Sequence, residues 1–207
     1  MSESTNSERE ATILSQMPNS ETEARPGKRG RLVASAAELL HQQGVHGTTL
    51  AEIASAADVP TGNVYYYFKS RDALVRAVID SRAEQIRTLL DSLDRKSSPG
   101  ARLKGLAHQW ADSAELVAAH GCPLGSLCSE LNKLDAVLAG DAALLFRLVL
   151  DWAERQFREL GRKDSRELAT TLFGAVQGAA LLSDTLGDPK ILAREVRRLD
   201  RWIDSCE

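Results

Sequence analysis

Thr48-Thr49-Leu50-Ala51-Glu52-Ile53-Ala54-Ser55-Ala56-Ala57-Asp58-Val59-Pro60-Thr61-Gly62-Asn63-Val64-Tyr65-Tyr66-Tyr67-Phe68-Lys69-Ser70-Arg71 is the stretch that decides the fold. It reads as two short helices and a tight turn. Thr49 stands three residues ahead of Glu52, a capping-box pattern in which hydroxyl and carboxylate satisfy opposite orphan amides. That predicts a helix to about Ala57. Asp58-Val59-Pro60 breaks it, and Thr61 to Tyr67 restarts. Ile53, Val59 and Val64 are apolar at the spacing of two buried faces, and small Ala54 and Ala57 let the helices approach closely. Such a pair can lay its second helix in a DNA major groove while the first braces it. Its outward positions are then Thr61, Gly62, Asn63, Tyr65, Tyr66 and Tyr67, followed by Lys69 and Arg71. These are hydroxyls, an amide and cations, suited to phosphate oxygens and base edges. The Tyr-Tyr-Tyr-Phe run also suits packing, and Phe68 reads as core.

Helical periodicity surrounds this stretch on both sides. Leu32, Val33, Ala36, Leu39 and Leu40 form one apolar stripe that Gly44 closes. Ser70 can cap a longer helix from Arg71 to about Leu93, ended by Lys96-Ser97-Ser98-Pro99-Gly100. Further helices are expected at Ala101 to Ala119, Leu124 to Leu138, Asp141 (as cap) to Leu160, Glu167 to Leu186, and from Pro189 onward. β-Branched runs and strand-like alternation are scarce, so the fold class is all-α. Residues 1–26 are polar and read as a disordered tail.

Composition narrows the function classes. The net charge of −3 argues against a protein coated in nucleic acid, but the distribution is uneven. Arg25 to Leu90 holds nine Lys/Arg against six Asp/Glu, whereas residues 1–24 hold one Arg against five Glu. The basic excess is local, as a DNA footprint requires. Arg25, Lys28, Arg29 and Arg31 suit either solvation or contact with phosphates or a minor groove. No signal peptide opens the chain and no apolar stretch is long enough to span a bilayer, which predicts a cytoplasmic protein with no membrane partner. Cys122, Cys128 and Cys206 lack disulfide-framework spacing, in keeping with a reducing compartment. His41, His46, His108 and His120 are scattered, so neither a metal site nor a cofactor is expected.

Thr48-Thr49-Leu50-Ala51-Glu52-Ile53-Ala54 together with Gly62-Asn63-Val64-Tyr65-Tyr66-Tyr67-Phe68-Lys69-Ser70-Arg71-Asp72-Ala73-Leu74 closely resembles the DNA-binding domain of the TetR/AcrR family. The match runs from about Lys28 to Ile79. The resemblance implies a homodimer with an N-terminal three-helix DNA-binding domain containing a helix-turn-helix (27–75), followed by a larger helical ligand-binding and dimerisation domain (76–207). It implies that Thr49, Thr61 and Asn63 meet DNA, that Tyr65 and Lys69 clamp phosphates, and that Tyr66 and Tyr67 flank them. Pro60-Thr61 departs from the family's frequent Ser-Lys or Ser-Arg, removing a cation. With Lys28 and Arg71 these complete the expected DNA-binding set. The function implied is a ligand-responsive transcriptional regulator, a repressor, released from a pseudo-palindromic double-stranded operator by a small, apolar effector.

The larger half is less legible. Phe173-Gly174-Ala175-Val176-Gln177-Gly178-Ala179-Ala180-Leu181-Leu182 offers small residues for close helix contact. That face suits either intramolecular packing or, by the resemblance, a dimer interface of Phe173, Gly174, Gly178, Leu182 and Trp202. Two recognition helices must reach half-sites about 34–36 Å apart, which a symmetric dimer provides. Ligand contacts are expected from Trp110, Cys122, Leu124, Leu127, Phe146, Leu150 and Gln177, with Leu116 and Trp152 as further candidates, because such pockets are mostly apolar with a few polar groups. In His120-Gly121-Cys122-Pro123, a cysteine ahead of a helix start with a histidine nearby suggests a redox or electrophile sensor; it equally suits a small packing residue. An enzyme built on Cys122 and His120 lacks a third catalytic member, so no catalytic residues are assigned. A helical adaptor binding only protein fits poorly with the cationic, hydroxyl-bearing face of Thr61 to Arg71.

Overall fold

The computed structural model describes residues 27–207, and every regular element among them is an α-helix. The expected tail, residues 1–26, lies outside the described residues, as does Arg25. The three N-terminal helices are α1 (Lys28–Gly47), α2 (Leu50–Ala56) and α3 (Thr61–Tyr67). The apolar stripe of α1 is buried at Leu32, Val33, Ala36 and Leu40. Gly44 does take a left-handed φ of 77°, but the chain resumes helical turns to Gly47, so glycine there makes a kink inside α1 rather than its end. The capping box of α2 is complete. Glu52 N–H donates to Thr49 Oγ1 at 3.2 Å, and Thr49 N–H donates to Glu52 Oε2 at 2.8 Å. The Thr49 hydroxyl, donating to Glu52 Oε2 at 2.7 Å, and then the Thr49 N–H hold the exposed Glu52 carboxyl below its ordinary pKa.

Helix α4 (Arg71–Leu93), capped by Ser70, is about 34 Å long at the usual rise per residue. Its buried face, including Leu74, Val78, Ile79, Ile86 and Leu90, links the first three helices to the rest. The remaining elements are α5 (Pro99–Ala111), α6 (Ala114–His120), α7 (Pro123–Leu134), α8 (Ala136–Glu159), α9 (Ser165–Leu186) and α10 (Pro189–Asp204). Helix α8 packs against α4, α7 and α9, with α5 and α10 closing the bundle. Trp110, Trp152, Phe157 and Leu172 are fully buried in it.

Two expected boundaries are corrected. The single helix Ala101 to Ala119 is two, broken at Asp112–Ser113. The first begins at Pro99, because proline fits a first helical turn and Ser98 Oγ accepts Ala101 N–H at 3.2 Å. Helix α8 is capped by Asp135, not Asp141: the Asp135 carboxylate accepts the N–H groups of Val137 and Leu138, each at 2.8 Å. Asp141 instead pairs with Arg76 at 3.1 Å. No helix among the described residues is long and apolar enough to cross a membrane.

Candidate nucleic-acid interface and ligand cavity

Helices α2 and α3 meet through a turn that the rest of the chain holds shut. Asp58 adopts φ 51°, a left-handed conformation that an Asp tolerates better than most side chains. Val59 N–H then reaches back to Ala54 C=O at 3.0 Å. Arg31 clasps the same turn, donating from Nε to Ala57 C=O at 2.9 Å and from its terminal nitrogen to Asp58 C=O at 3.1 Å. Ile53, Ala54, Ala57, Val59, Val64 and Phe68 are buried, so the two apolar faces close on each other and on α1.

The opposite face is open. Thr49, Thr61, Gly62, Tyr65, Tyr66 and Lys69 are exposed, with Tyr65 at 56% and Tyr66 at 74%. Asn63 and Tyr67 are half-buried, and the Tyr66 and Tyr67 rings meet edge-on at 5.0 Å. Lys69 Nζ lies 3.4 Å from Tyr65 C=O, at the rim of the same surface. Lys28 is exposed in the first turn of α1.

Two cations are committed elsewhere. The Arg71 guanidinium donates to the carbonyls of Val45 and Thr48, the latter at 3.0 Å, and so ties the start of α4 to the loop before α2. Carbonyls without partners are costly to bury, so this exposed member of the expected DNA-binding set also has a structural use. Arg31 likewise clasps a turn through two backbone carbonyls. Arg29 sits over the Phe68 ring at 5.2 Å.

Helix α1 is fastened to α7 at one point and to the turn between α6 and α7 at another. Glu130 Oε2 accepts Val45 N–H at 2.6 Å, immediately after the Gly44 kink. The His41 Nε2 lies 2.9 Å from Gly121 C=O and donates to it. Burial pushes the His41 pKa below its ordinary value, which favours the neutral ring.

Gly121 also borders a cavity of about 550 Å³ between α7, α8 and α9. Its wall includes Cys122, Ser126, Ser129 and Asn132 from α7 and its N-cap, Phe146 from α8, and Gln177, Leu181 and Asp184 from α9. Trp110 Nε1 donates to Cys122 Sγ at 3.4 Å and Gln177 Nε2 approaches the same sulfur at 3.6 Å. A Cβ on Gly125 would stand 2.6 Å from Gln177 Oε1, so glycine there admits the amide. The Cys128 thiol donates to Ala142 C=O at 3.4 Å, and burial pushes its pKa up to about 11.

Of the expected ligand contacts, Cys122, Phe146 and Gln177 reach the cavity wall. Trp110, Leu124 and Leu127 are buried core residues, as is Trp152, while Leu150 and Leu116 are half-buried away from the wall. Long apolar side chains fill the bundle, leaving the cavity to smaller and more polar ones. Ser126, Ser129, Asn132 and Asp184 escaped the sequence reading. Residues 122, 125, 126, 129 and 132 recur at threes and fours, a small, polar helical stripe that would have marked them.

The expected dimer face is also partly revised. Gly174, Gly178 and Leu182 are exposed on α9, with Leu181 and Leu186 beside them at 66% each. Phe173 is not on that face: it is buried, with ring centroids 4.9 Å from Phe146 and 6.0 Å from Trp110. Trp202 is half-buried against Phe157 at 5.7 Å. No group of three or more potential metal ligands occurs among the described residues.

Comparison with known proteins agrees with this architecture. Residues 32–78 match the model of the tetR family of bacterial regulatory proteins. An HTH-type transcriptional regulator from Lactococcus lactis is 29% identical over 168 residues, covering 78% of this chain and 86% of its own. The transcriptional repressor DhaR of a Mycobacterium species is 28% identical over 63% of this chain and 64% of its own. Among solved structures, a TetR transcriptional regulator from Legionella pneumophila superposes with a TM-score of 0.79 at 22% identity, covering 86% of this chain and 98% of its own. With its helix-turn-helix and its all-helical body, the chain carries at residues 32–78 the DNA-binding segment of the tetR family of bacterial regulatory proteins, and most of its length is similar to transcriptional regulators of that kind.

Proposed function

We propose that this regulator binds a pseudo-palindromic operator as a homodimer, acts as a repressor, and is released by a small molecule in the α7–α8–α9 cavity. In this reading residues 27–75 form the DNA-binding domain and 76–207 the effector and dimer domain. The observation that carries it is that one chain holds both an open polar face on α3 and a separate cavity whose wall, through α7 and Gly121 just ahead of it, is bonded to α1. Thr49, Thr61, Asn63, Tyr65, Tyr66, Tyr67, Lys69 and Lys28 are the DNA contacts. Gly174, Gly178 and Leu182 form the centre of the dimer face, because exposed leucines beside glycines on one helix suit close approach by a second copy. Release requires that the effector bind the DNA-incompetent arrangement more tightly than the competent one. The test is selection of a bound sequence from random duplex DNA, followed by gel shift. Recovery of a two-fold repeated site supports the reading, and retention of DNA by a Tyr65→Ala, Lys69→Ala double variant with unchanged affinity counts against it.

A second reading, a thiol switch at Cys122, draws on the place of its sulfur in the cavity wall, where the N–H groups of Trp110 and Gln177 are directed at it. It places the same cavity under covalent rather than reversible control.

A further inference from the structure

We propose that the α7–α8–α9 cavity takes a small organic amine in its ammonium form, with the Asp184 carboxylate as counter-charge and the Gln177 side-chain oxygen as a second acceptor. This rests on the cavity being the effector site. Three features of the wall point to that class. Asp184 is the sole formally charged residue among the described lining residues, and within them its carboxylate takes part in no hydrogen bond or ion pair.

The wall's hydrogen-bonding groups are also unevenly committed. The Gln177 amide N–H is directed at Cys122 Sγ, and the Cys128 thiol donates to Ala142 C=O, so these donors face protein. Gln177 Oε1 and the Asp184 carboxylate remain as acceptors, while the hydroxyls of Ser126 and Ser129 and the amide of Asn132 serve either role. A ligand that brings N–H donors and a positive charge satisfies this set. A neutral apolar ligand that covers these acceptors takes them from water without replacing the lost bonds, and an anion meets a carboxylate. Arg82 of α4 is close enough to Cys122 for their charges to interact, yet it is not part of the wall and donates to Gln85 Oε1 at 3.1 Å. Neighbouring His41 is held toward its neutral form by burial.

Size and the opposite wall set the remainder of the molecule. Phe146, Leu181, Ala139 and Ala143 provide an apolar side, and about 550 Å³ admits a compact ligand with one ring or short alkyl arm. An amphipathic amine adds a charged group to the small, apolar effector expected from the sequence.

The experiment compares three probes of matched shape by titration calorimetry at neutral pH: 4-phenylbutylamine, 4-phenylbutanol and 4-phenylbutyrate. The amine is expected to bind about tenfold tighter than the alcohol, the scale of one charge-assisted contact, and the carboxylate weakest. Asp184→Asn should bring amine and alcohol to within roughly twofold of one another, while Asp184→Glu keeps the preference. The Asp184 side chain is exposed and makes no bond to the described residues, so both variants should melt like the parent. Alcohol or carboxylate binding as tightly as the amine, or a preference untouched by Asp184→Asn, overturns the ammonium assignment alone. Failure of all three probes to bind overturns the cavity as an effector site, and this assignment with it.

Discussion

The Glu130 carboxylate of α7 accepts the backbone N–H of Val45 in α1 at 2.6 Å, directly after the kink at Gly44. A Cβ at Gly44 would lie 3.0 Å from both carboxylate oxygens. The bond matters because Val45 C=O is one of the two carbonyls held by Arg71, whose other partner, Thr48 C=O, adjoins the cap of α2. A wall helix of the cavity and the start of the helix-turn-helix are thus joined by consecutive hydrogen bonds. Glu130→Ala removes a charge-assisted bond to a half-buried amide and should cost about 1.5–3 kcal/mol of unfolding free energy by urea melts. Hydrogen exchange should show faster exchange at Val45 than in the parent, with α9 and α10 unchanged; an unaltered Val45 amide would refute the linkage.

Gly44→Ala tests the kink itself. Alanine is strained at φ 77° and crowds Glu130, so a loss of about 1–2 kcal/mol is expected, larger than for a glycine elsewhere on the helix surface. Thermal melts of Gly44→Ala beside Gly62→Ala, where nothing lies within 4 Å of an added Cβ, make the comparison.

Stability should also depend on pH through His41. Its folded pKa lies below the ordinary value of 6.5 because burial opposes the charged ring. The unfolded chain therefore binds the proton more readily, and the stabilisation is present above pH 6.5 and lost as pH falls through the folded value. Denaturant midpoints measured between neutral and mildly acidic pH should fall, and His41→Gln should flatten the slope. A parallel slope in the variant would assign the effect to other groups.

On the DNA face, Lys69→Ala should weaken binding to all sequences alike and reduce the logarithmic salt slope by about 1. Asn63→Ala should change which sequence is preferred. Arg71→Ala should instead act through folding, lowering the melting temperature of the free protein, because its guanidinium holds two carbonyls.

Phe173 and Leu182 separate core from interface. Phe173→Ala should destabilise the protein by about 3–5 kcal/mol, as expected for a buried aromatic ring. Leu182→Glu should leave the monomer's fold intact and shift sedimentation toward a smaller species. A dimer unaffected by Leu182→Glu would move the interface elsewhere.

For the thiols, Cys128 should alkylate slowly at neutral pH and accelerate as pH approaches about 11. If Cys122 is the switch, Cys122→Ser abolishes oxidant-driven release of DNA; release that persists leaves the reversible effector as the surviving reading.

The helix-turn-helix was legible because its determinants are local. A Thr-x-x-Glu cap, a Pro-containing break and apolar residues at helical spacing depend on chain neighbours, and α2, α3 and α4 fall where those signals put them. The family motif lies in the same stretch. Tertiary structure decided the rest. Arg31 and Arg71 look identical to DNA-binding cations in sequence, and only the carbonyls brought beside them from 23 to 27 residues away show that they also clasp the fold. Phe173 and Leu182 share one helix, and its packing against α8 buries one and exposes the other. The cavity belongs to three helices at once, so its wall of small polar residues, with Asp184 at its edge, existed in no single segment of the chain.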